Sequence, residues 1–189
     1  ERIGSVRRLE GKPKEALEAF HAALAVMEPL SASDPGNTQW QRDLSITHER
    51  IGIIQRDKKD FDGAQVSFQY NLDVAEQLAT LDPTNMEWQR DLSVSLEKLA
   101  DVMRSKKDFR AALKLLERGL EISERLAAAD PSNKEWQRDL AVSYSEIGDV
   151  LSRLDDNQRA GAALSESLRI HQELADSDPD NAGEVSHFQ

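Results

Sequence analysis

Apolar residues recur along this chain at intervals of three and four, the spacing that places side chains on one face of an α-helix. One such stretch runs from Trp88 to Met103, and a matching stretch runs from Trp136 to Leu151. A second kind of stretch runs from Ala64 to Leu78, with counterparts that start at Ala112 and Ala160. The pattern predicts pairs of amphipathic helices that follow one another along the chain.

These pairs belong to a long internal repeat. The string Trp-Gln-Arg-Asp-Leu begins at Trp40, Trp88 and Trp136, and Asp-Pro pairs recur with the same period. The repeat predicts units at about 1–35, which is incomplete, and at 36–83, 84–131 and 132–179. We expect residues 1–181 to form one solenoid, and residues 182–189 to be either the stub of a further unit or a degenerate cap.

Polar residues mark the predicted boundaries of the helices. Asp60, Asp108 and Asp156 precede the second helix of a unit, where a carboxylate can accept hydrogen bonds from the free amides of the first turn. The second helices are expected to end before the Asp-Pro pairs, because the residue before a proline disfavours helical geometry. Pro29 lies inside a predicted helix, where we expect a kink.

Small and bulky residues alternate between the two helices of each unit in a fixed register. The sets are Gly4/Ala16/Phe20, Gly52/Ala64/Phe68, Ala100/Ala112/Leu116 and Gly148/Ala160/Leu164. This register resembles the tetratricopeptide repeat (TPR), and the long period is similar to that of kinesin light chains and bacterial multi-repeat TPR proteins. The resemblance implies an all-α, right-handed α-solenoid of about four antiparallel helix pairs, a TPR-like superhelix that binds proteins.

Composition and charge narrow the possible functions. The net charge of −11 argues against binding to a nucleic-acid backbone, which requires clustered Lys and Arg. No apolar run approaches the roughly 20 residues that span a bilayer, so we predict no membrane partner. Without cysteine, and without a visible signal sequence, the chain is predicted to be cytoplasmic. No phosphate loop, nucleophile set or metal-ligand spacing occurs, which predicts a protein that is not an enzyme and needs no metal or cofactor.

A partner-binding face is predicted on the first helices, which line the concave side in proteins of the resembled family. The residues expected there are Arg8, Ile46, Glu49, Ile53, Arg56, Val94, Glu97, Asp101, Arg104, Val142, Ser145 and Asp149. This face could hold a helical or extended peptide. Its arginines, which recur once in each repeat, either bind carboxylates or phosphates of a partner or neutralise the acidic residues beside them.

Two alternatives stand beside a scaffold that binds a peptide or partner domain on this face. The chain could be a structural spacer that self-assembles end to end through apolar edges, or it could regulate a catalytic domain outside these residues. The repeated Trp40, Trp88 and Trp136 are interpreted as seals between neighbouring helices rather than as a ladder of ligand-binding groups, because stacking is the task that every unit shares.

Overall fold

The computed structural model describes residues 12–177, which form seven helices and no strand. The helices are α1 Pro13–Ser33, α2 Thr38–Asp57, α3 Phe61–Leu81, α4 Met86–Ser105, α5 Phe109–Ala129, α6 Lys134–Arg153 and α7 Asn157–Asp176. The predicted all-α class of helical repeats is therefore confirmed. The chain is divided into two compact units between Lys106 and Lys107, with α1 to α4 in the first unit and α5 to α7 in the second.

The helix boundaries follow from capping side chains. Each predicted aspartate accepts a hydrogen bond from a backbone amide of the helix that follows it, and the donors are Gly63, Ala111 and Arg159. Asn37, Asn85 and Asn133 cap the first helices in the same way, by accepting from the backbone N–H of Trp40, Trp88 and Trp136. Pro13 stands at the first turn of α1, which continues past Pro29 to Ser33.

The core of the first unit is built around two phenylalanines. Phe20 and Phe68 are both fully buried. The ring of Phe68 lies over Gly52, so close that a Cβ atom added to this glycine would stand 3.0 Å from two ring carbons. The small residue predicted on the first helix is therefore required by the close approach of α2 and α3.

Gly52→Ala should lower the free energy of unfolding by about 1 kcal/mol, because overpacking against a buried ring outweighs the better helix propensity of alanine. Gly161→Ala is the matched control, since no heavy atom lies within 4 Å of the position of its added Cβ. This second change should raise the free energy of unfolding by about 0.5–1 kcal/mol. Urea denaturation measures both changes in the free energy of unfolding. Equal changes for the two variants would contradict the close approach of Phe68 to Gly52.

His48 is a polar residue in an otherwise apolar position of the first unit. The residues one and two periods further on are Leu96 and Tyr144. The imidazole stacks on Tyr70 with ring centroids 4.0 Å apart, and its Nε2 atom is buried without a hydrogen-bond partner among residues 12–177. Burial lowers the pKa of His48, and nearby His21 lowers it further, while Glu28 acts in the opposite direction.

His48→Leu should make the free energy of unfolding less dependent on pH. Because the pKa of His48 is lower in the folded chain, the unfolded chain takes up the proton first, and stability is lost as the pH falls below about 6.5. Denaturation midpoints of the two proteins should therefore diverge between about pH 7 and pH 5, with the variant retaining more stability. Parallel curves over this range would show that His48 contributes nothing to acid sensitivity.

The second unit has an apolar surface on the outer side of its last helix. Leu164 and Leu168 continue the apolar stripe of α7, and they are 44% and 65% exposed. Phe68 and Leu72, their counterparts on α3, are 0% and 3% exposed. The helix α4 follows α3 in the first unit, whereas α7 is the last helix of the described part of the chain, which leaves its outer side uncovered there.

Candidate peptide-binding groove

A groove with a volume of about 210 Å³ lies in the first unit, between the early turns of α2 and α4. Its lining residues recur at helical spacing, so each helix presents one face to it. They are Arg42, Ser45, Ile46 and Glu49 on α2, Asn71, Ala75 and Leu78 on α3, and Arg90, Asp91, Val94 and Ser95 on α4. Three consecutive helices therefore build the groove. The middle one, α3, is the second helix of its repeat, whereas α2 and α4 are first helices.

The groove combines an apolar lining with a polar pair. Ile46, Ala75, Leu78 and Val94 supply the apolar surface. Asn71, which is 7% exposed, donates from Nδ2 to the Oγ of Ser45 at 2.8 Å. Within residues 12–177, the side-chain hydrogen bonds of Asn71 all involve Nδ2 and Ser45. Its Oδ1 therefore remains available as an acceptor at a groove that is otherwise suited to apolar side chains.

An ion-pair bridge joins α2 to α4 at the entrance of the groove. Arg42 donates from its Nη2 to Glu87 at 2.6 Å and from its Nε to Asp91 at 2.9 Å. Burial lowers the pKa of Arg42, but the hydrogen bonds to Asp91 and Glu87 outweigh it and leave the pKa raised. The two carboxylates stand one helical turn apart, so one guanidinium can reach both and fix the spacing of the groove walls.

The structure brings three of the predicted partner-binding residues together in the groove, namely Ile46, Glu49 and Val94. Ile53 is buried, with 8% exposure, and does not line the groove. Glu97 is half-buried on α4 outside the groove. In the second unit, Val142, Ser145 and Asp149 are exposed on α6. Arg8 lies outside the described residues.

Two predicted arginines contact the same acidic residue. Arg56 donates to Asp101 at 3.1 Å, and Arg104 also hydrogen-bonds and ion-pairs with Asp101. These contacts correspond to the alternative in which the arginines neutralise nearby carboxylates. Each of the three side chains is about a quarter exposed, so the cluster still borders solvent.

Sequence reasoning missed the residues that the second helix contributes. Asn71, Ala75 and Leu78 lie on α3, and of these only Leu78 was assigned before, to the apolar stripe. Ser45, on α2, was not predicted at the groove either. One signal was visible: Asn71 interrupts an apolar stripe, while the residues one and two periods later are Gly119 and Ser167. The amide side chain is particular to one unit, and it marks a place where the units differ.

Comparison with known proteins agrees with this architecture. Residues 93–131 match the family model described as tetratricopeptide repeat. The described chain has a TPR-like helical-repeat fold. The crystal structure of BtubC (BKLC) from P. vanneervenii superposes with a TM-score of 0.74 at 18% identity, over 91% of this chain and 61% of that one. The chain thus spans less than two thirds of the length of that protein.

A second similar structure is that of a Podosopora anserina protein assigned to the kinesin light chains, which has nearly identical TPR-like repeats. It shares 15% identity with a TM-score of 0.47, over 94% of each chain. No curated protein matches the sequence. Between residues 12 and 177, no helix is long and apolar enough to cross a membrane, and no cluster of His, Asp or Glu could hold a metal ion.

Proposed function

We propose that the chain is a protein-interaction scaffold that holds a peptide segment of a partner in the groove between α2 and α4. The observation that carries this proposal is the combination of an apolar lining with the acceptor of Asn71 in one concave site. Ligand sites are commonly concave and mostly apolar, with a few placed polar groups that orient the ligand. A volume of about 210 Å³ is suited to one large anchoring side chain.

The polar groups of the groove suit a peptide backbone. The Oδ1 atom of Asn71 has no hydrogen-bond partner within residues 12–177 and is not sealed from solvent, so it can accept a hydrogen bond from a backbone N–H of a bound peptide. Glu49 and Arg90 line the groove with opposite charges, and they could select charged residues that flank the anchor. Specificity would then come from residues that are particular to this pair of repeats.

The Arg42 bridge supports the proposal through rigidity. A groove whose walls are already linked by an arginine that binds two carboxylates needs little rearrangement when a peptide binds, which reduces the entropic cost of binding. This pairing was not predicted as part of the binding face. It assigns Arg42 a supporting role in place of a direct contact with the ligand.

The wider function follows from the same proposal. We propose that the chain acts through binding and not through catalysis, in the cytoplasm of a bacterium. Self-association is the second candidate, and the exposed Leu164 and Leu168 favour it. Light scattering across a hundredfold range of concentration would reveal a rise in mass if this second candidate is correct.

Selection from a random peptide display library tests the scaffold proposal without knowledge of the partner. The immobilised chain should enrich peptides that share one large apolar residue at a fixed position, because the groove admits one anchor. Selection against a scaffold with an unrelated helical fold removes peptides that bind non-specifically. Failure to enrich any shared pattern above that control would contradict a peptide-binding function.

A further inference from the structure

The Arg42 bridge has counterparts at the same position of the repeat. Arg90 and Arg138 follow one and two periods after Arg42. Within the first unit, Arg42 reaches two carboxylates of the next first helix, those of Glu87 and Asp91. Each such arginine is therefore placed to bind a helix that presents two acidic residues one turn apart.

Arg138 corresponds to Arg42, but it lacks the two carboxylates that Arg42 binds. It is exposed near the start of α6, and it forms no hydrogen bond or ion pair with any residue from 12 to 177. The residues that correspond to Glu87 and Asp91 two periods later are Gly183 and His187, and neither is acidic. The chain therefore has no pair of carboxylates at the positions that would repeat the contact of Arg42.

An exposed apolar strip lies beside Arg138 in the second unit. The Oγ of Ser167 on α7 donates to the backbone oxygen of Ala141 on α6 at 2.8 Å, which places these two turns side by side. Arg138 is one turn before Ala141, and Leu168 directly follows Ser167. Leu164, one turn earlier on α7, lies further from Arg138, beside Gly148 on α6, because the two helices run antiparallel. A cation and two exposed leucines therefore follow one another along the helix pair. We call these three residues the α6–α7 face.

We infer that the α6–α7 face binds an amphipathic helix of a partner protein, whose polar edge carries two carboxylates one turn apart. The apolar side of this helix would cover Leu164 and Leu168, as the buried counterparts of these residues on α3 are covered in the first unit. Its two carboxylates would bind the guanidinium of Arg138. This inference does not rest on the groove between α2 and α4, because it concerns the other unit.

A second copy of the chain fits this face less well. On α2, the residues that correspond to Glu87 and Asp91 are Gln39 and Asp43, so this helix offers only one carboxylate. The pair on α4 is already bound to Arg42. Glu135 and Asp139, the pair on α6, also have interactions of their own. Because the described first helices offer no free pair of this kind, we assign the complementary carboxylates to a different protein.

A peptide that copies residues 85–105 provides a probe with the required chemistry, because it contains α4 with its cap and both carboxylates. Fluorescence anisotropy with the complete chain should show binding, and Arg138→Glu should weaken it by about tenfold. Arg110→Glu, an equal change of charge at an exposed position of α5, should alter binding by less than about twofold. Circular dichroism checks that both variants fold.

A charge swap separates the proposed contact from binding elsewhere. A peptide with Glu87→Lys and Asp91→Lys should bind Arg138→Glu more tightly than it binds the unchanged chain. Three results would overturn the inference. The original peptide could fail to bind at millimolar concentration, or it could bind Arg138→Glu and the unchanged chain with equal affinity. The third is that the peptide with both lysines binds Arg138→Glu no more tightly than it binds the unchanged chain. A mass that doubles with concentration and falls back in Arg138→Glu would identify a second copy as the occupant and would also overturn it.

Discussion

Phe68→Ala should lower the free energy of unfolding by about 3–5 kcal/mol, the range measured when a buried phenylalanine is truncated to alanine. The side chain is fully buried between α2 and α3. The glycine against its ring offers no side chain that could move into the space, so we expect a cavity that collapses poorly. Urea denaturation followed by circular dichroism would measure the loss.

Val66→Ala is the control on the same helix, because Val66 is 72% exposed. This change should shift the free energy of unfolding by less than about 0.5 kcal/mol. If Phe68→Ala lowered the free energy of unfolding no more than Val66→Ala does, this would contradict the packing of α2 on α3 through the ring of Phe68.

Val94→Glu should weaken the affinity for peptides enriched on the unchanged chain by about a hundredfold, which corresponds to roughly 2.7 kcal/mol. The change removes an apolar wall of the groove and adds a third acidic group beside Glu49 and Asp91. An apolar anchor would then lose its contact with the wall, and a buried carboxylate would lose its hydration. Isothermal titration calorimetry measures the change.

Val66→Glu provides the matched control for binding, since it introduces the same charge on α3 at an exposed position outside the groove. The affinity of this variant for the enriched peptides should stay within about twofold of that of the unchanged chain. Equal weakening by the two substitutions would show that net charge, and not the groove, governs binding.

The helical architecture was predictable because its determinants are local and repeated. The spacing of apolar residues, the aspartate caps and the Gly52–Phe68 approach can be read from short stretches of sequence. Each of these patterns recurs in the repeats that Trp40, Trp88 and Trp136 define, so a single ambiguous position does not change the prediction. The caps of the first helices went unassigned, although the asparagines were visible at the same period.

The groove could be predicted only in part, because its shape depends on how three helices are spaced. Ile46, Glu49 and Val94 follow from the face of a first helix, whereas Asn71 and Leu78 are buried on α3 and line the groove only because of the way α2 and α4 are spaced beside them. The Arg42 bridge likewise joins residues of two separate helices, a separation that helical periodicity within one segment does not constrain.

The exposure of Leu168 illustrates the same limit from the opposite direction. Its place in the apolar stripe predicts burial, but burial needs a neighbouring helix, and no described helix follows α7. Periodicity identifies the face that can be buried; the neighbouring elements determine whether it is buried.

The position of a bound peptide is the most direct test of the groove. A peptide enriched by display should be titrated into isotope-labelled chain, and the amide chemical shifts should be followed by nuclear magnetic resonance. We predict that the largest changes occur at Ile46, Asn71 and Val94, which lie on three different helices that meet only at the groove. Largest changes on α6 and α7, with these three amides unchanged, would contradict the proposed function.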